Sequence, residues 1–383
     1  MEVGDRLEVD ILSIAHGGHF VARHEGRVIF VRHAISGERV EIEITDMSAT
    51  FARADAIRII HRSEHRATPP CSLAHPGGCG GCDFQHIGLS HQRELKAEIV
   101  KEQFARIGKL DIDVNVEEVL PTSHWRTRMD FTVSSNRKLA LYGARSHDLI
   151  EIDSCHIADA AIDIAGINNK KLPIASKIHV AVASDQSVTV DIEGRESRTL
   201  IEQEVLGRAY SLTPTSFWQS HKSAPEHLSK SVRELALAKF GDHVFDLYGG
   251  VGLFTGVLIT EVGKTGRVTL IESDGKAITD ARRNFATEPN VEIVEGKVER
   301  EIKRFVRADV VIADPPRAGL GAAVCAAIVA LKPRTVVYVS CDPASLARDA
   351  RILIDAGYRM DHIRAFDLFP MTQHIECVAR FIY

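Results

Sequence analysis

The C-terminal part of the chain, from about residue 206, alternates short apolar runs with amphipathic stretches such as 224–240 and 343–356. This alternation predicts an α/β fold, in which helices cover both faces of a parallel sheet. In such folds ligands bind beyond the carboxyl ends of the strands. The residues that follow each run are therefore candidates for a site. The runs are His243–Leu247, Arg267–Ile271, Asp309–Ala313 and Thr335–Val339.

The earlier part of the chain follows a different pattern. Residues 1–60 contain short alternating segments separated by glycines, which is typical of a small β-barrel of the oligonucleotide-binding type. A proline pair at 69–70 follows, then helical periodicity over Ser90–Ile107 and β-rich sequence from about 120 to 205. A chain of 383 residues exceeds what one core usually serves. We therefore predict domains at 1–62, 63–205 and 206–383.

Composition limits the class of protein. The chain is 45% hydrophobic and 26% charged, as in ordinary globular proteins, and no apolar run approaches the roughly 18 residues of a membrane span. Its seven cysteines do not form the pattern of a disulfide scaffold. We expect a cytoplasmic protein with no membrane partner and no obligate protein partner. The net charge of −5 leaves room for a local basic patch, and Arg126 and Arg128 are candidates for RNA contacts or for a solvated sheet face.

A glycine-rich turn follows the first apolar run, in the sequence DLYGGVGLFT (246–255). Gly250 and Gly252 would let the backbone approach a ligand closely, although any tight strand-to-helix turn could look similar. The second run leads into Glu272, where a carboxylate can accept hydrogen bonds from both ribose hydroxyls. Thr255 stands where a dinucleotide-binding hexad has its last glycine. The pattern favours S-adenosylmethionine over NAD.

The third and fourth runs end in reactive side chains. DPPR (314–317) follows the third run and holds the Asp314 carboxylate at the sheet edge. Cys341 follows the fourth run and precedes a helix, whose N-terminus favours a thiolate. A cysteine at a strand end can equally be a small buried hydrophobic residue.

Three further cysteines are crowded into CSLAHPGGCGGC. The spacing of Cys71, Cys79 and Cys82, with Cys155 much later, predicts a four-thiolate metal site. Zinc and an iron–sulfur cluster both accept four thiolates, so the ligands alone do not choose between them.

Five motifs in the same order resemble the RNA uridine-5-methyltransferase family. FDLFPMTQHIECVARF (366–381) is similar to its C-terminal signature, and SCDPASLARD, DPPRAGL, DLYGGVGLFT and SFWQSH (216–221) match further motifs. Residues 1–60 resemble the TRAM module that precedes many members. The cysteine set resembles the [4Fe–4S] ligands of the branch that modifies 23S ribosomal RNA. The resemblance covers essentially the whole chain.

The resemblance implies a C-terminal Rossmann-like class I methyltransferase domain behind a TRAM barrel and a β-rich central domain with a metal cluster. Its activity would be methyl transfer from S-adenosylmethionine to C5 of a uridine in RNA. The resemblance favours 23S ribosomal RNA as the substrate, with transfer RNA as the alternative. The implied roles are Cys341 as nucleophile, Glu376 as general base, and Gln219, Tyr248, Glu272 and Asp314 as contacts to cofactor and base.

Three departures from the family pattern concern single contacts. Gly249 stands where relatives often have Cys, Leu253 where many have a polar residue, and His221 where Asn is frequent. An amino-group nucleic-acid methyltransferase would need DPPR but neither Cys341 nor Glu376. A cytosine-5-methyltransferase usually has a Pro-Cys nucleophile, which is absent here. An RNA-binding protein with a vestigial transferase domain would not need both reactive residues.

Overall fold

The computed structural model describes residues 1–195 and 199–383. Its N-terminal sheet has six strands, and the alternating apolar residues of these strands form a core of their own with Phe84 and Leu95. The short strands predicted for residues 1–60 are confirmed. The strands are β1 (Arg6–Asp10), β2 (Ser13–Ala15), β3 (His19–His24), β4 (Arg27–Arg32), β5 (Arg39–Met47) and β6 (Phe51–His61), in the sheet order β1-β5-β6-β4-β3-β2.

A long helix lies between the N-terminal sheet and the C-terminal part. Helix α1 (Leu89–Gln103) continues into a π-helical turn (Phe104–Gly108) and ends at Lys109, which has a left-handed φ of 54°. The predicted helix over Ser90–Ile107 is confirmed. Leu95 of α1 belongs to the N-terminal core, whereas Val100 packs into the core of the C-terminal sheet.

The central part contains a five-stranded antiparallel sheet and a separate hairpin. The sheet order is β10-β9-β8-β11-β12. The sheet strands are β8 (Arg128–Val133), β9 (Leu139–Tyr142), β10 (Leu149–Glu151), β11 (Lys177–Val182) and β12 (Val188–Ile192); helix α2 (Ile164–Asn168) lies between β10 and β11, and the hairpin consists of β13 (Ile201–Val205) and β14 (Arg208–Leu212).

The C-terminal part is the predicted sheet with helices between its strands. Its order is β17-β16-β15-β18-β19-β21-β20-β7, and the five strands β17 to β19 of this order run parallel. This confirms the predicted α/β fold with a parallel sheet. The elements are β7 (Val116–Glu118), α3 (Ala224–Ala236), β15 (His243–Leu247), α4 (Leu253–Val262), β16 (Arg267–Glu272), α5 (Gly275–Asn284), β17 (Val291–Glu295), α6 (Val298–Glu301), β18 (Val310–Ala313), α7 (Gly321–Ala330), β19 (Thr335–Ser340), α8 (Pro343–Asp355), β20 (Arg359–Asp367) and β21 (Glu376–Ile382).

Two segments from the predicted central domain pack on the C-terminal sheet. Strand β7 pairs in parallel with β20, and α1 with its π-helical turn lies against α8. The three-domain division stays a prediction. Among the described residues, no helix has the length and apolar character needed to cross a membrane.

Candidate functional site

Four parallel strands end at one edge of the C-terminal sheet. Leu247 of β15 faces Ile271 of β16 and Ala313 of β18, and Ala313 in turn faces Tyr338 of β19. The residues that follow these strands therefore meet at the same edge. They include Tyr248, Glu272, Asp314 and Cys341.

The glycine turn is closed by the neighbouring carboxylate. The Gly250 amide donates to one oxygen of Glu272 at 3.1 Å, and the amides of Ser273 and Asp274 donate to the other oxygen. Gly252 has a φ of +96°, and a Cβ added there would lie 2.2 Å from the ring of Phe285. The turn thus requires glycine at 252. Its backbone is hydrogen-bonded to Glu272, the residue predicted to bind a ribose.

Asp246, at the start of the glycine-rich sequence, is a site residue that the sequence analysis did not single out. It is fully buried, and one of its oxygens accepts from the amide and hydroxyl of Thr255 at 2.9 and 2.7 Å. Its other oxygen is buried without a hydrogen-bond partner in the described part of the chain. Burial raises the pKa of Asp246 to about 6. An unpaired buried carboxylate oxygen is suited to accept from a donor group on a ligand.

Cys341 and Glu376 lie side by side on paired strands. Ser340 of β19 faces Cys377 of the antiparallel β21, so the next residue outward on each strand, Cys341 and Glu376, reaches the same edge. Asp342 caps the following helix by accepting from the Ser345 amide at 2.7 Å. The structure therefore brings the two predicted catalytic residues together.

The electrostatics of Cys341 differ from the sequence expectation. Burial raises the pKa of its thiol to about 11, and the carboxyl groups of Glu376 and Asp314 act in the same direction. Arg317, which the sequence analysis gave no role, opposes them and lowers the pKa.

Burial and neighbouring carboxyl groups raise the pKa of both Asp314 and Glu376. Burial, and then the charge of Asp246, raise the pKa of Asp314 to about 7. Burial and the charge of Asp314 raise the pKa of Glu376 well above its ordinary value, while Arg317 lowers it. Two carboxyl groups in one buried site cannot easily both ionise, so the ionisation of Asp314 and that of Glu376 depend on each other.

The loop that carries Gln219 is fixed by its neighbours. Trp218 packs against the ring of Tyr210 at 5.5 Å, and the Tyr210 hydroxyl donates to the carbonyl of Leu253 at the start of α4. Gln219 is buried beside them. His221 accepts from the Ser223 amide and contacts the carbonyl of Pro121, so it has structural partners where relatives often have Asn.

The two arginines predicted to bind RNA have different surroundings. One terminal nitrogen of Arg128 donates to the carbonyls of Pro214 and Ser216, at 3.2 and 2.5 Å, and so holds the loop that leads to Gln219. Burial lowers the pKa of Arg128 to about 10. The Nε of Arg126 donates to the carbonyl of Arg128 at 2.9 Å, and its side chain borders the cavity of the cysteines. Their RNA contacts stay a prediction.

Four cysteines line one cavity in the central part, namely Cys71, Cys79, Cys82 and Cys155. Burial raises the pKa of Cys82 to about 12, and the other three thiols act in the same direction. However, within residues 1–195 and 199–383 no group of three or more His, Cys, Asp or Glu side chains is arranged to hold a metal ion. The thiol donors fit a four-thiolate site in kind and in shared location, but the metal itself stays a prediction.

Comparison with known families identifies the chain. A family model described as tRNA (uracil-5-)-methyltransferase matches residues 180–381, and a TRAM domain model matches residues 1–57. The first match covers more than half of the chain and includes the whole catalytic edge. The chain belongs to the tRNA (uracil-5-)-methyltransferase family. The N-terminal sheet is thus similar to the TRAM domain, and the C-terminal fold is similar to this family.

Relatives extend this family assignment over the full length. An uncharacterized RNA methyltransferase of Streptomyces avermitilis is 38% identical and covers 98% of both chains. One from Bifidobacterium longum is 34% identical and covers 98% of this chain and 96% of its own. The crystal structure of the Pyrococcus abyssi tRNA (uracil-54, C5)-methyltransferase in complex with S-adenosyl-L-homocysteine aligns with a TM-score of 0.76, at 22% identity and over 98% of this chain and 100% of that chain. At that identity the alignment shows the same fold.

Family membership confirms the predicted type of activity, which is S-adenosylmethionine-dependent methyl transfer to RNA. It also confirms the predicted TRAM domain and α/β methyltransferase fold. The roles of single residues stay predictions. Asp246 and Arg317 had no predicted role, although Asp246 begins DLYGGVGLFT and Arg317 ends DPPR. Their sequence signal was weak, because a charged residue beside a strand end is common. Only burial and the neighbouring charges distinguish Asp246 and Arg317 from other such residues.

Proposed function

We propose that this enzyme methylates C5 of a uridine in RNA through a covalent adduct with Cys341. The observation that carries the proposal is the adjacent placement of Cys341 and Glu376 on β19 and β21, at the edge where the glycine turn opens. An amino-group methyltransferase would need neither residue. The family match and the RNA methyltransferase relatives support RNA as the substrate class.

The proposed chemistry assigns one step to each residue. C5 of uracil is a weak nucleophile, so the Cys341 thiolate first adds to C6 and leaves an enolate that is nucleophilic at C5. Bound S-adenosylmethionine supplies the electrophilic methyl group and a positive sulfonium charge. Glu376 then removes the proton from C5, and cleavage of the sulfur–C6 bond releases Cys341 as a thiolate. The uridine must leave its base stack to reach the thiol.

The residues around the glycine turn would bind the donor. Gly250 and Gly252 would allow close approach of a nucleoside, Glu272 would accept hydrogen bonds from the ribose hydroxyls, and the unpaired oxygen of Asp246 would accept from a donor group. Gln219, Tyr248 and Asp314 are the further proposed contacts. They lie on the loop before α3 and at the ends of β15 and β18.

Ribosomal RNA of the large subunit is the proposed substrate, with transfer RNA as the second candidate. The cysteine set supports the first, because it resembles that of the 23S-modifying branch. The family model carries a transfer RNA name, which supports the second. Mapping 5-methyluridine in both RNA fractions of a strain that lacks the gene would decide between them.

The direct test uses labelled S-adenosylmethionine with purified ribosomal and transfer RNA, followed by nucleoside analysis. We expect labelled 5-methyluridine from the wild-type enzyme and none from Cys341→Ala, with unchanged donor affinity. Cys325→Ala, which alters a buried cysteine of α7, is the matched control and should stay active. A labelled amino-methylated purine, or 5-methyluridine from Cys341→Ala at the wild-type rate, would exclude the proposed reaction.

A further inference from the structure

The turn between β2 and β3 of the N-terminal sheet reaches the catalytic edge. We call its residues His16–Gly18 the tip. Nε2 of His16 lies 3.0 Å from one carboxylate oxygen of Asp342, the residue after Cys341. The other oxygen of Asp342 accepts from the Ser345 amide. Both oxygens are therefore engaged, and the tip fixes the residue that follows the nucleophile.

The tip also packs on the loop that leads to Glu376. Gly18 has a φ of +71°, and a Cβ added there would lie 2.4 Å from Cβ of Gln373. Only glycine allows this approach. The backbone of Gln373 is hydrogen-bonded to the carboxylate of Asp83, and Arg32 of β4 lies 3.9 Å from that carboxylate. The N-terminal sheet thus contacts both loops that carry the reactive residues.

Helix α1 also holds the same loop. The Gln92 side chain accepts from the amide of Met371 at 2.9 Å, and Lys96 donates to the carboxylate of Asp367 at 2.6 Å and to the carbonyl of Phe369 at 3.1 Å. Gln92 and Lys96 are both fully buried. The loop before Glu376 is therefore held by α1 through buried hydrogen bonds and by the tip through the close approach of Gly18 to Gln373.

We infer that His16 is a positioning residue for the methyl-transfer reaction and that the docked tip sets the relative placement of Cys341 and Glu376. The inference rests on the proposed function. Asp342 is one residue from Cys341, and Gln373 is three residues from Glu376. A small shift of the tip would therefore move both reactive side chains. The catalytic edge is then complete only when the sheet matched by the TRAM model is docked on it.

His16→Ala tests the hydrogen bond. We expect kcat to fall about tenfold or more, because small misplacements of reacting groups are costly, while KM for RNA and donor affinity stay unchanged. His16→Gln should restore most of kcat, since its amide nitrogen has a reach similar to that of Nε2. His24→Ala, at the other end of β3, is the matched control and should match the wild type.

Gly18→Ala tests the packing of the tip independently. Gly26, in the turn between β3 and β4, has a similar φ of +80°, but a Cβ added there meets nothing within 4 Å. Both substitutions impose comparable backbone strain, and only Gly18→Ala pushes the tip away from Gln373. We expect Gly18→Ala to lower kcat as His16→Ala does and Gly26→Ala to leave it unchanged.

The outcomes separate this inference from the proposed function. Absence of 5-methyluridine with the wild-type enzyme would contradict the function itself. With an active wild type, unchanged kcat in both His16→Ala and Gly18→Ala would overturn the inference. A raised KM for RNA at constant kcat would also overturn it, because the tip would then be an RNA contact and not a positioning element. Failure of His16→Gln to restore kcat would reject the role of the hydrogen bond.

Discussion

The thiol of Cys341 lies in surroundings that oppose its reactive form. Its pKa is raised to about 11, by burial first and by two carboxyl groups next. The thiolate is the nucleophile, so the free enzyme holds Cys341 almost entirely in its unreactive state at neutral pH. A positive charge brought into this site would favour the thiolate. We therefore expect the nucleophile to be activated with the donor bound, which limits side reactions of the thiol.

Glu376→Gln separates methyl transfer from product release. Cys341 can still add to C6, and C5 can still accept the methyl group, but the C5 proton then has no base. We expect a covalent protein–RNA adduct that carries the labelled methyl group and survives denaturing electrophoresis. Release should slow by about 10²–10⁴-fold, the usual value of general-base catalysis.

The double variant Cys341→Ala/Glu376→Gln is the control for this adduct. It lacks the thiol and should give no adduct. Methylated RNA released by Glu376→Gln at the wild-type rate, with no trapped species, would mean that another group removes the proton.

At the scale of elements, the cysteine cavity joins the segment before α1 to the loop after β10. We predict that Cys79→Ala loses a bound metal and destabilises the central part, whereas Cys325→Ala does not. The measurement is metal and sulfide content after purification without oxygen, together with the visible absorption that an iron–sulfur cluster gives. Stoichiometric zinc in a colourless protein would contradict the iron–sulfur prediction, and absence of any metal would contradict the site.

The start of β8 offers a test of the predicted RNA contact. Charge reversal at Arg126 should weaken RNA binding and reduce the slope of log affinity against log salt by about one unit for each phosphate that the variant no longer binds. Donor affinity should not change. Arg128 is a poorer probe, because reversal there would bury a carboxylate against the carbonyls of Pro214 and Ser216. An unchanged salt slope in the Arg126 variant would mean that Arg126 does not bind a phosphate.

At the scale of the whole molecule, buried neutral histidines make the fold sensitive to acid. Burial lowers the pKa of His86 and of His221 to about 4, against about 6.5 in the unfolded chain. Below pH 6.5 the unfolded state therefore binds more protons, and stability falls as pH falls towards 4. Each such histidine contributes about 1.4 kcal/mol per pH unit in that window.

Denaturant unfolding between about pH 7 and 5 measures this loss of stability. His221→Gln should flatten the dependence, because the amide keeps a donor and an acceptor but does not titrate. His61→Gln, at an exposed histidine, is the control and should leave the slope unchanged. Equal slopes for the wild type and His221→Gln would show that His221 does not contribute.

Much of the fold was predictable because its signals are local. The apolar runs and their following helices predicted the C-terminal elements to within a few residues, and the periodicity over Ser90–Ile107 predicted the extent of the long helix. The contacts of α1 with two different cores were not predictable, since its sequence shows only one periodic pattern. Pairing of β7 with β20 joins segments about 250 residues apart, and a three-residue strand has no pattern that specifies a distant partner.

Candidate site residues could be predicted from the sequence where they stand in a motif. They could not be predicted where their role depends on packing between distant segments. Cys341 and Glu376 were found because each stands in a recognisable sequence at a strand end. The raised pKa of Cys341 was missed, because it depends on burial and on the carboxyl groups of Glu376 and Asp314, which come from different strands. His16 was also missed, since a histidine in a glycine-rich turn resembles any loop residue. Its contact with Asp342 spans 326 residues of sequence.

The small strand β7 limits where the chain can be truncated. It covers the outer side of β20, which would otherwise present unpaired backbone groups to solvent. A polypeptide beginning near residue 206 would keep every reactive side chain of the C-terminal sheet and lose this cover. Uncovered strands pair readily with other chains, so such a fragment would self-associate. A chimaera that exchanges the transferase region between related proteins must therefore also include strand β7, which is encoded in the first half of the gene.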